Sequence, residues 1–246
     1  MAASSTSDSI ERLEGKVQTS FTDVERQPTI ESNELNKVEP KSLGAGTALA
    51  TGVFATTLTT LSLSLMEWRG VTTQNVFVAN FFFTAALGLV ITAQWELSIG
   101  HGFEYTVFSA FGLFYAGYGA ILTPAFGVAA AYGDNTVEYN NALGFYMILW
   151  TVFSVTFLIA SLPTNIAYIS MFFTIVFGFL LVASSYFALA DGNNAASTAL
   201  KKGGGGICFV SGLTGWYLTF HILLKDSIVE LPMGDTSRYF GKSKRS

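Results

Sequence analysis

Long apolar stretches separated by short polar connections fill almost all of the chain after about residue 43. Each is close to or above the roughly 20 residues that a helix needs to cross about 30 Å of hydrocarbon. Hardly a charge lies inside any of them, which is typical of membrane spans and not of a soluble domain. The pattern predicts an all-α membrane protein, a bundle of six transmembrane helices. The six predicted spans cover residues 43–66, 75–95, 105–132, 143–162, 165–190 and 206–224.

The connections between these spans are short, which predicts one bundle without a separate soluble domain. The tightest is Pro163 with Thr164, because proline ends a helix and restricts the residue before it. The connection over residues 191–205 runs into the glycine stretch 203–206. No Lys-Ser/Thr pair follows that stretch, so it does not indicate a phosphate-binding loop. A flexible hinge or a close helix contact is the better interpretation.

The two ends of the chain differ in composition from the spans. Residues 1–42 are polar, charged and poor in aromatics, so they cannot bury enough apolar surface to offset the entropy of ordering. We therefore predict a disordered N-terminal segment, a membrane domain over residues 43–224 and a C-terminal tail over residues 225–246. No basic stretch followed by an apolar one indicates a cleavable signal peptide at Met1. The first span is expected to act as the membrane signal.

Lysine and arginine are distributed unequally across the predicted membrane. An even number of spans puts both termini on one side, and ten of the 13 basic residues fall on that side. They are Arg12, Lys16, Arg26, Lys37 and Lys41 before the first span and Lys225, Arg238, Lys242, Lys244 and Arg245 after the last. Only Arg69, Lys201 and Lys202 lie opposite. Because loops rich in Lys and Arg stay cytoplasmic, we expect both termini in the cytoplasm of a multi-pass plasma-membrane protein.

Titratable groups are sparse. The single cysteine, Cys208, excludes an internal disulfide and argues against a thiolate metal cluster. No nucleophile, base and electrophile converge, so the sequence does not indicate an enzyme, a cofactor or a metal site. No carboxylate is expected inside the bundle. His101 and Glu104, near the start of the third span, are the candidate titrating residues at the mouth of a pathway.

Small and hydroxyl-bearing residues are more frequent in the spans than charges. Most hydroxyls of the run 56–64 in the first span are expected to bond the carbonyl one turn back, while a few can face a wet pathway. In the third span, Gly112, Ala116 and Ala120 recur every four residues. This spacing predicts a face for close helix contact.

Several short motifs, in a fixed order, resemble the acetate uptake transporter family of fungi and bacteria. At the third span that family has Gly-Asn-Thr-Phe-Gly followed by an aromatic-Gly-x-Phe-Trp element. The corresponding segments here read Gly100-His101-Gly102-Phe103-Glu104 and Phe111-Gly112-Leu113-Phe114-Tyr115. Supporting matches are Arg69-Gly70-Val71-Thr72, Asn141-Ala142-Leu143-Gly144-Phe145-Tyr146 and Trp216-Tyr217. The resemblance covers about residues 45–224.

Two motifs of that family are altered in this chain. The opening Asn-Pro-Ala-Pro-Leu-Gly aligns without gaps with residues 45–50, where only the leucine remains. A gapped register places it on residues 39–44 instead. The Phe-Tyr-Gly-Gly of the second span becomes Phe83-Thr84-Ala85-Ala86. A proline-broken helix start and a tyrosine hydroxyl are therefore absent from the aligned positions, and both bear on substrate and transport.

The resemblance implies a six-helix protomer that assembles as a homo-oligomer, often a hexamer, with a pathway for acetate or a similar small monocarboxylate in each protomer. By motif position, an apolar constriction involves Phe54, Phe111 and Ile175. An apolar ring suits a weak acid, because burying the anion costs more than burying the neutral acid. A coupled proton would then travel on the substrate itself. Candidate polar contacts along the pathway are Thr57, Asn80, Thr84, Tyr115 and Tyr217.

Two other functions fit the same sequence. A membrane sensor or interaction protein would retain the fold without flux and use the Ser/Thr-bearing N-terminal segment for phosphorylation or partner binding. Passage of ammonia or another small neutral solute is compatible with the same apolar constrictions. The expected partners are the lipid bilayer, the small carboxylate and protons, and nucleic acid is not among them.

Overall fold

The computed structural model describes residues 46–225, 227, 229 and 231–240. The predicted disordered segment over residues 1–42 lies outside the described residues. So do residues 43–45 of the predicted first span and residues 226, 228, 230 and 241–246 of the predicted tail. The membrane domain is therefore described almost completely, and the two termini are not.

Six helices in the described part of the chain are long and apolar enough to cross a membrane, which confirms the predicted bundle. They are α1 (Gly46–Leu65), α2 (Asn75–Ser98), α3 (Gly102–Leu122), α4 (Thr136–Ser161), α5 (Ile166–Ala190) and α6 (Asn194–Leu224). A single turn, α7 (Ser237–Phe240), follows them. Three boundaries differ from the prediction by several residues. The helix α3 ends at Leu122 instead of residue 132, α4 begins at Thr136 instead of residue 143, and α6 begins at Asn194 instead of residue 206.

The helices form a ring in chain order around an apolar core. α1 packs between α2 and α6, α5 packs between α4 and α6, and α2 packs against α3. Side chains close the ring between α3 and α4. There the Tyr146 hydroxyl donates a hydrogen bond of 3.2 Å to the carbonyl of Phe114, and the rings of Phe114 and Trp150 meet edge to face at 5.1 Å.

The glycine stretch 203–206 is helical and belongs to α6. A Cβ atom at Gly204 would lie 2.9 Å from Val182 Cγ2 and 3.0 Å from the carbonyl oxygen of Gly178. Glycine is therefore required where the backbones of α5 and α6 approach, and such small residues let helices gain van der Waals contact in lipid. The interpretation as a close helix contact is correct, and the connection between these helices shortens to residues 191–193.

α2 is irregular in its first half. A 3₁₀ turn (Asn75–Phe77) and a π-helical segment (Asn80–Ala86) precede the regular helix Leu87–Ser98. The altered family motif at residues 83–86 lies in the π-helical segment. Gly112 of α3 packs against this region, since a Cβ there would lie 3.2 Å from the carbonyl oxygen of Ala86. The small-residue face predicted on the third span thus serves as a helix contact at Gly112.

The two ends of the bundle differ. At one, where α1, α3 and α5 end, an open polar hollow lies between the helices, and we call this the vestibule end. The opposite end carries residues 231–240, which we call the strap. His221 Nδ1 lies 2.6 Å from the carbonyl oxygen of Leu231, and the Thr236 hydroxyl donates to the carbonyl of Leu162 at 2.8 Å. The strap therefore joins the end of α6 to the turn between α4 and α5.

Replacing Gly204 with alanine is expected to destabilise the protein. In a helix interior Gly→Ala usually stabilises by up to about 1 kcal/mol. At Gly204 the methyl group must displace Val182 and the α5 backbone, and such overpacking costs about 1–3 kcal/mol. The matched control is Gly203→Ala, whose Cβ would have its nearest neighbour, Leu181 Cδ1, at 3.7 Å.

The unfolding midpoint of each purified variant in detergent measures the difference. We expect Gly204→Ala to unfold at a lower temperature than the wild type, and Gly203→Ala at the same or a higher one. Equal midpoints for the two variants would contradict the tight contact between α5 and α6.

Candidate functional site

Aromatic side chains fill the middle of the bundle. Phe54 of α1 and Phe111 of α3, both predicted to form a constriction, meet edge to face with their ring centroids 5.7 Å apart. Phe157 of α4 continues the contact, with its centroid 5.9 Å from that of Phe111. All three side chains are buried. We call Phe54, Phe111 and Phe157 the aromatic block.

Phe157 was not predicted from the sequence. The signal that identifies it is the helical spacing of the buried α4 residues Met147, Thr151, Ser154 and Phe157. Their neighbours between these positions are apolar too, so hydrophobicity alone does not separate the face toward the core from the face toward lipid.

A small cavity lies on each side of the aromatic block. The strap-side cavity has a volume of about 20 Å³, and Thr51, Phe54, Leu89, Phe111 and Met171 are among the residues that line it. The vestibule-side cavity also measures about 20 Å³, and its wall includes Leu58, Leu61, Phe114, Tyr118 and Phe179. Each is large enough for about one water molecule.

An open hollow of about 410 Å³, the vestibule, follows at the other side of the vestibule-side cavity. Many of its lining residues are polar, among them Gln74, Tyr139, Tyr186 and Lys201. Tyr118 lines both the vestibule and the cavity beneath it, and its hydroxyl donates a 2.7 Å hydrogen bond to Gln74 Oε1. Tyr118 therefore lies between the vestibule and the vestibule-side cavity.

These spaces are arranged in series along the bundle axis. Met171 lines the strap-side cavity and Phe179 the vestibule-side cavity, and both lie on α5. Ile175, the third predicted constriction residue, lies between them, one helical turn from each. It is fully buried in the same apolar cluster as the aromatic block. The three predicted constriction residues are thus at one level of the bundle, between the two cavities.

The predicted polar contacts have different surroundings. Thr57 is fully buried, and its hydroxyl has no hydrogen-bond partner among the described residues. Most other α1 hydroxyls behave as expected, as Thr56 shows by donating to the carbonyl of Gly52 at 2.8 Å. Asn80 Nδ2 lies 3.5 Å from Thr60 Oγ1, at the limit of a hydrogen bond. Thr57 is therefore a hydroxyl of this set whose hydrogen-bonding capacity is unused among the described residues.

The remaining three predicted polar residues are spread over the bundle. Thr84 is half-buried in the π-helical segment of α2. Tyr115 is fully buried and stacks on Phe81 with the ring centroids 5.9 Å apart. Tyr217 lies at the strap end, where its hydroxyl donates to the carbonyl of Pro232. The structure does not bring these three side chains together.

A buried carboxylate is present at the strap end. Glu96 of α2 is 1% exposed, and its Oε2 lies 2.7 Å from Nδ1 of His101. Its Oε1 accepts a hydrogen bond of 2.7 Å from the hydroxyl of Thr47 in α1. The expectation that no carboxylate lies inside the bundle is therefore wrong.

The error has a simple cause. Glu96 follows an apolar run, so the sequence pattern assigns it to a polar connection. α2 instead continues to Ser98, and the extra turn puts Glu96 on the same buried face as Leu89 and Ala93. The predicted neighbour Glu104 lies half-buried in the first turn of α3, and the imidazole of His101 pairs with Glu96 instead.

A second charged cluster ties α1 to α6 at the rim of the vestibule. The carboxylate oxygens of Glu67 lie 3.0 Å from Lys201 Nζ and 2.8 Å from Lys202 Nζ. Hydrogen bonds from Lys202 and Lys201 hold the pKa of Glu67 below its ordinary value. The Glu67 backbone is left-handed, with φ of 56°, which is uncommon for a residue other than glycine. The ion pairs therefore hold a strained turn in place. Among the described residues, no three His, Cys, Asp or Glu side chains group as metal ligands.

Comparison with protein-family models matches residues 27–235 to the GPR1/FUN34/yaaH family. This chain belongs to the GPR1/FUN34/yaaH family. The membership confirms the resemblance predicted from the motifs around Gly100 and Phe111.

Two relatives and one solved structure each match most of this GPR1/FUN34/yaaH chain. Acetate transporter protein patA of Aspergillus clavatus is 47% identical over 205 residues, which is 83% of this chain and 83% of that protein. The protein of the same name from Penicillium expansum is 44% identical, covering 87% and 86%. The bacterial acetate channel SatP superposes with a TM-score of 0.65 at 25% identity, covering 78% of this chain and 99% of that one. All three are transporters or channels, in agreement with the prediction that this chain is not an enzyme.

The Glu67 cluster gives a pH-dependent prediction. Because the folded-state pKa of Glu67 is lowered from 4.5, its stabilising effect is present above that pH and is lost as the pH falls through the folded pKa. Glu67→Gln is therefore expected to lower the unfolding midpoint in detergent at neutral pH. The gap to the wild type should close progressively as the pH falls below 4.5.

Two controls accompany this measurement. Asp191→Asn changes an exposed carboxylate at the same end of the bundle and is expected to leave the midpoint unchanged. Added salt should narrow the gap between Glu67→Gln and the wild type, since it screens exposed ion pairs. A gap that stays constant from neutral to acid pH would contradict the role of the Glu67 charge.

Proposed function

We propose that this protein transports acetate, or another small monocarboxylate, across the membrane through the spaces inside each protomer. The observation that carries the proposal is the aromatic block between two small cavities, in line with an open vestibule. The names of the relatives support the choice of substrate, since two are called acetate transporters and the solved structure is called an acetate channel.

The size and chemistry of the cavities suit a solute of a few heavy atoms. Each has room for about one water molecule, and its wall is mostly aliphatic and aromatic. An isolated carboxylate is expensive to bury in such surroundings, whereas the neutral acid is not. The aromatic block therefore favours passage of the protonated acid or of a briefly dehydrated anion, and transport is linked to protons in the first case.

Polar groups on either side of the block would bind the carboxylate before and after passage. Lys201 and the phenols of Tyr139 and Tyr186 in the vestibule supply a cation and hydroxyl donors. The Thr57 hydroxyl supplies a donor deep in α1, close in sequence to Phe54. We assign these groups to carboxylate binding, and the predicted constriction residues Phe54, Phe111 and Ile175 to the barrier between them.

We also propose that the protein is a homo-oligomer of the plasma membrane with both termini in the cytoplasm. Large apolar side chains exposed on one face of α2, such as Phe83, Leu87 and Ile91, suit contact with lipid or with a second protomer. The excess of basic residues before the first span and after the last supports the orientation. The vestibule, with Lys201, then faces the outside.

A second candidate is passage of a small neutral solute such as ammonia. The near absence of polar groups among the cavity-lining residues favours a neutral solute of either kind. Competition separates the two, because ammonia that shares the pathway must slow the uptake of labelled acetate. A reconstituted protein with no flux of either solute would point to a membrane sensor.

Phe111→Ala is expected to widen the barrier and relax the size selectivity. One methylene in an apolar pocket changes selectivity by about 1–3 kcal/mol, or roughly 10–200-fold. We expect the preference for acetate over butyrate to fall on the order of tenfold, as the larger acid gains access. Initial uptake of both labelled acids into proteoliposomes measures the ratio.

The matched control is Leu113→Ala, two residues further along α3, whose side chain is 63% exposed on the outside of the bundle. Its selectivity is expected to equal that of the wild type. If Phe111→Ala also shows wild-type rates and selectivity, the aromatic block does not lie on the pathway.

A further inference from the structure

We propose that Glu96, paired with His101, is the proton-binding site at the strap end of the transport pathway. The inference rests on the proposed transport of a small monocarboxylate and goes beyond it, because it assigns the proton to a side chain of the protein. The sequence alone predicts that a coupled proton travels on the substrate itself, with His101 and Glu104 as the candidate titrating residues at the mouth of the pathway.

Burial makes the charge of Glu96 costly unless it is paired. At membrane depth an ionisable side chain is expensive and generally marks a pathway or a relay. Glu96 is 1% exposed, and each of its oxygens has one partner at 2.7 Å, the Thr47 hydroxyl and His101 Nδ1. These partners stabilise the anion. When the acid is neutral, its hydroxyl can donate to Nδ1 of an imidazole that carries its proton on Nε2, so both protonation states keep their hydrogen bonds.

The pair also has a route to solvent. The side chain of His101 is 56% exposed, whereas that of Glu96 is almost completely covered. A proton from water binds Nε2 of the neutral imidazole while Nδ1 passes its own proton to Oε2 of Glu96. The products are a neutral imidazole, protonated at Nε2, and a neutral carboxylic acid, so the pair has taken up one proton. The reverse sequence returns it to water.

Two helices connect the pair to the strap-side cavity. On α2, Leu89 lines that cavity and lies two turns from Glu96 on the same face, about 10 Å along the axis. On α1, Thr51 lines the cavity and its hydroxyl donates to the carbonyl of Thr47 at 3.1 Å. Polar groups thus extend from exposed His101 to the cavity wall.

A weak acid needs a proton donor at the edge of an apolar barrier, and the pair lies at such a position. An acetate ion that reaches the strap end accepts the proton of His101 Nε2 while Nδ1 takes the proton of neutral Glu96, giving acetic acid and the Glu96 carboxylate. The uncharged acid then crosses the aromatic block. His101 delivers the next proton from water, so each transported acid carries one proton across the block.

Other ionisable groups face the pair. Glu104 lies one turn beyond His101 on α3, and the Tyr168 hydroxyl of α5 is near enough to both Glu96 and Glu104 for electrostatic interaction. The hydroxyl of Thr47 is the group that α1 presents to Glu96. The test must therefore separate Glu96 from Glu104.

The test uses the full-length protein in liposomes and the initial uptake of labelled acetate between about pH 5 and 8, where imidazole titrates. One series holds the concentration of undissociated acid constant and a second holds the anion constant. This design separates the titration of the substrate from that of the protein. We expect wild-type uptake to change several-fold with pH in both series.

Glu96→Gln retains the shape and hydrogen-bonding capacity of the side chain but cannot take up a proton. We expect it to transport acetate at a rate that no longer changes with pH in the series that holds the undissociated acid constant. Glu104→Gln tests whether the neighbouring carboxylate causes the pH dependence, and it should retain the wild-type pH profile. Asp191→Asn, at the vestibule end, serves as the neutral control.

Each outcome decides the proposal. A wild-type profile in Glu96→Gln, or a flat profile in Glu104→Gln alone, overturns it while acetate transport stands. Absence of acetate uptake by the wild type would instead defeat the proposed function. If Glu96→Gln does not assemble, His101→Gln decides, because its side chain is largely exposed: an unchanged pH profile in that variant overturns the proposal.

Discussion

Close approach of helix backbones is the constraint on which the rest of this structure depends. Lipid offers no hydrophobic drive to bring helices together, so contact must come from packing. Gly204 meets Gly178 between α5 and α6, Gly212 meets Thr59 between α6 and α1, and Gly112 meets α2. Because small residues form these helix contacts, the large side chains of α1, α3 and α4 point into the centre, where they form the aromatic block.

The aromatic side chains in the centre determine how a solute can pass along the proposed pathway. The cavities are small because aromatic rings occupy the space between the helices, and on the proposed pathway a solute passes from one cavity to the other only if a ring turns aside. Side-chain rotation is fast compared with rearrangement of packed helices. On the proposed pathway, the helices joined at their glycine contacts can therefore stay in place while a ring of the aromatic block rotates.

The sequence predicts those features that depend on length and on local chemistry. Six charge-free runs of spanning length identify the helices, Pro163 identifies the tight turn, and motif order identifies Phe54 and Phe111. It does not predict Phe157, because Val152 and Val155 on the opposite face are equally apolar. Glu96 was missed because a charge at the end of an apolar run has the same pattern whether the helix stops or continues. Both errors have a similar cause. Hydropathy shows neither which way a side chain points around the helix axis nor how far the helix continues.

The strap covers only part of the ring of helices at its end of the bundle. It runs from α6 to the turn between α4 and α5, so that it covers the sector formed by those three helices. The sector formed by the ends of α1, α2 and α3 contains Thr47, Glu96 and His101. On the proposed pathway, a solute that leaves the strap-side cavity is therefore directed toward this uncovered sector, and it leaves at one side of the bundle instead of along its axis.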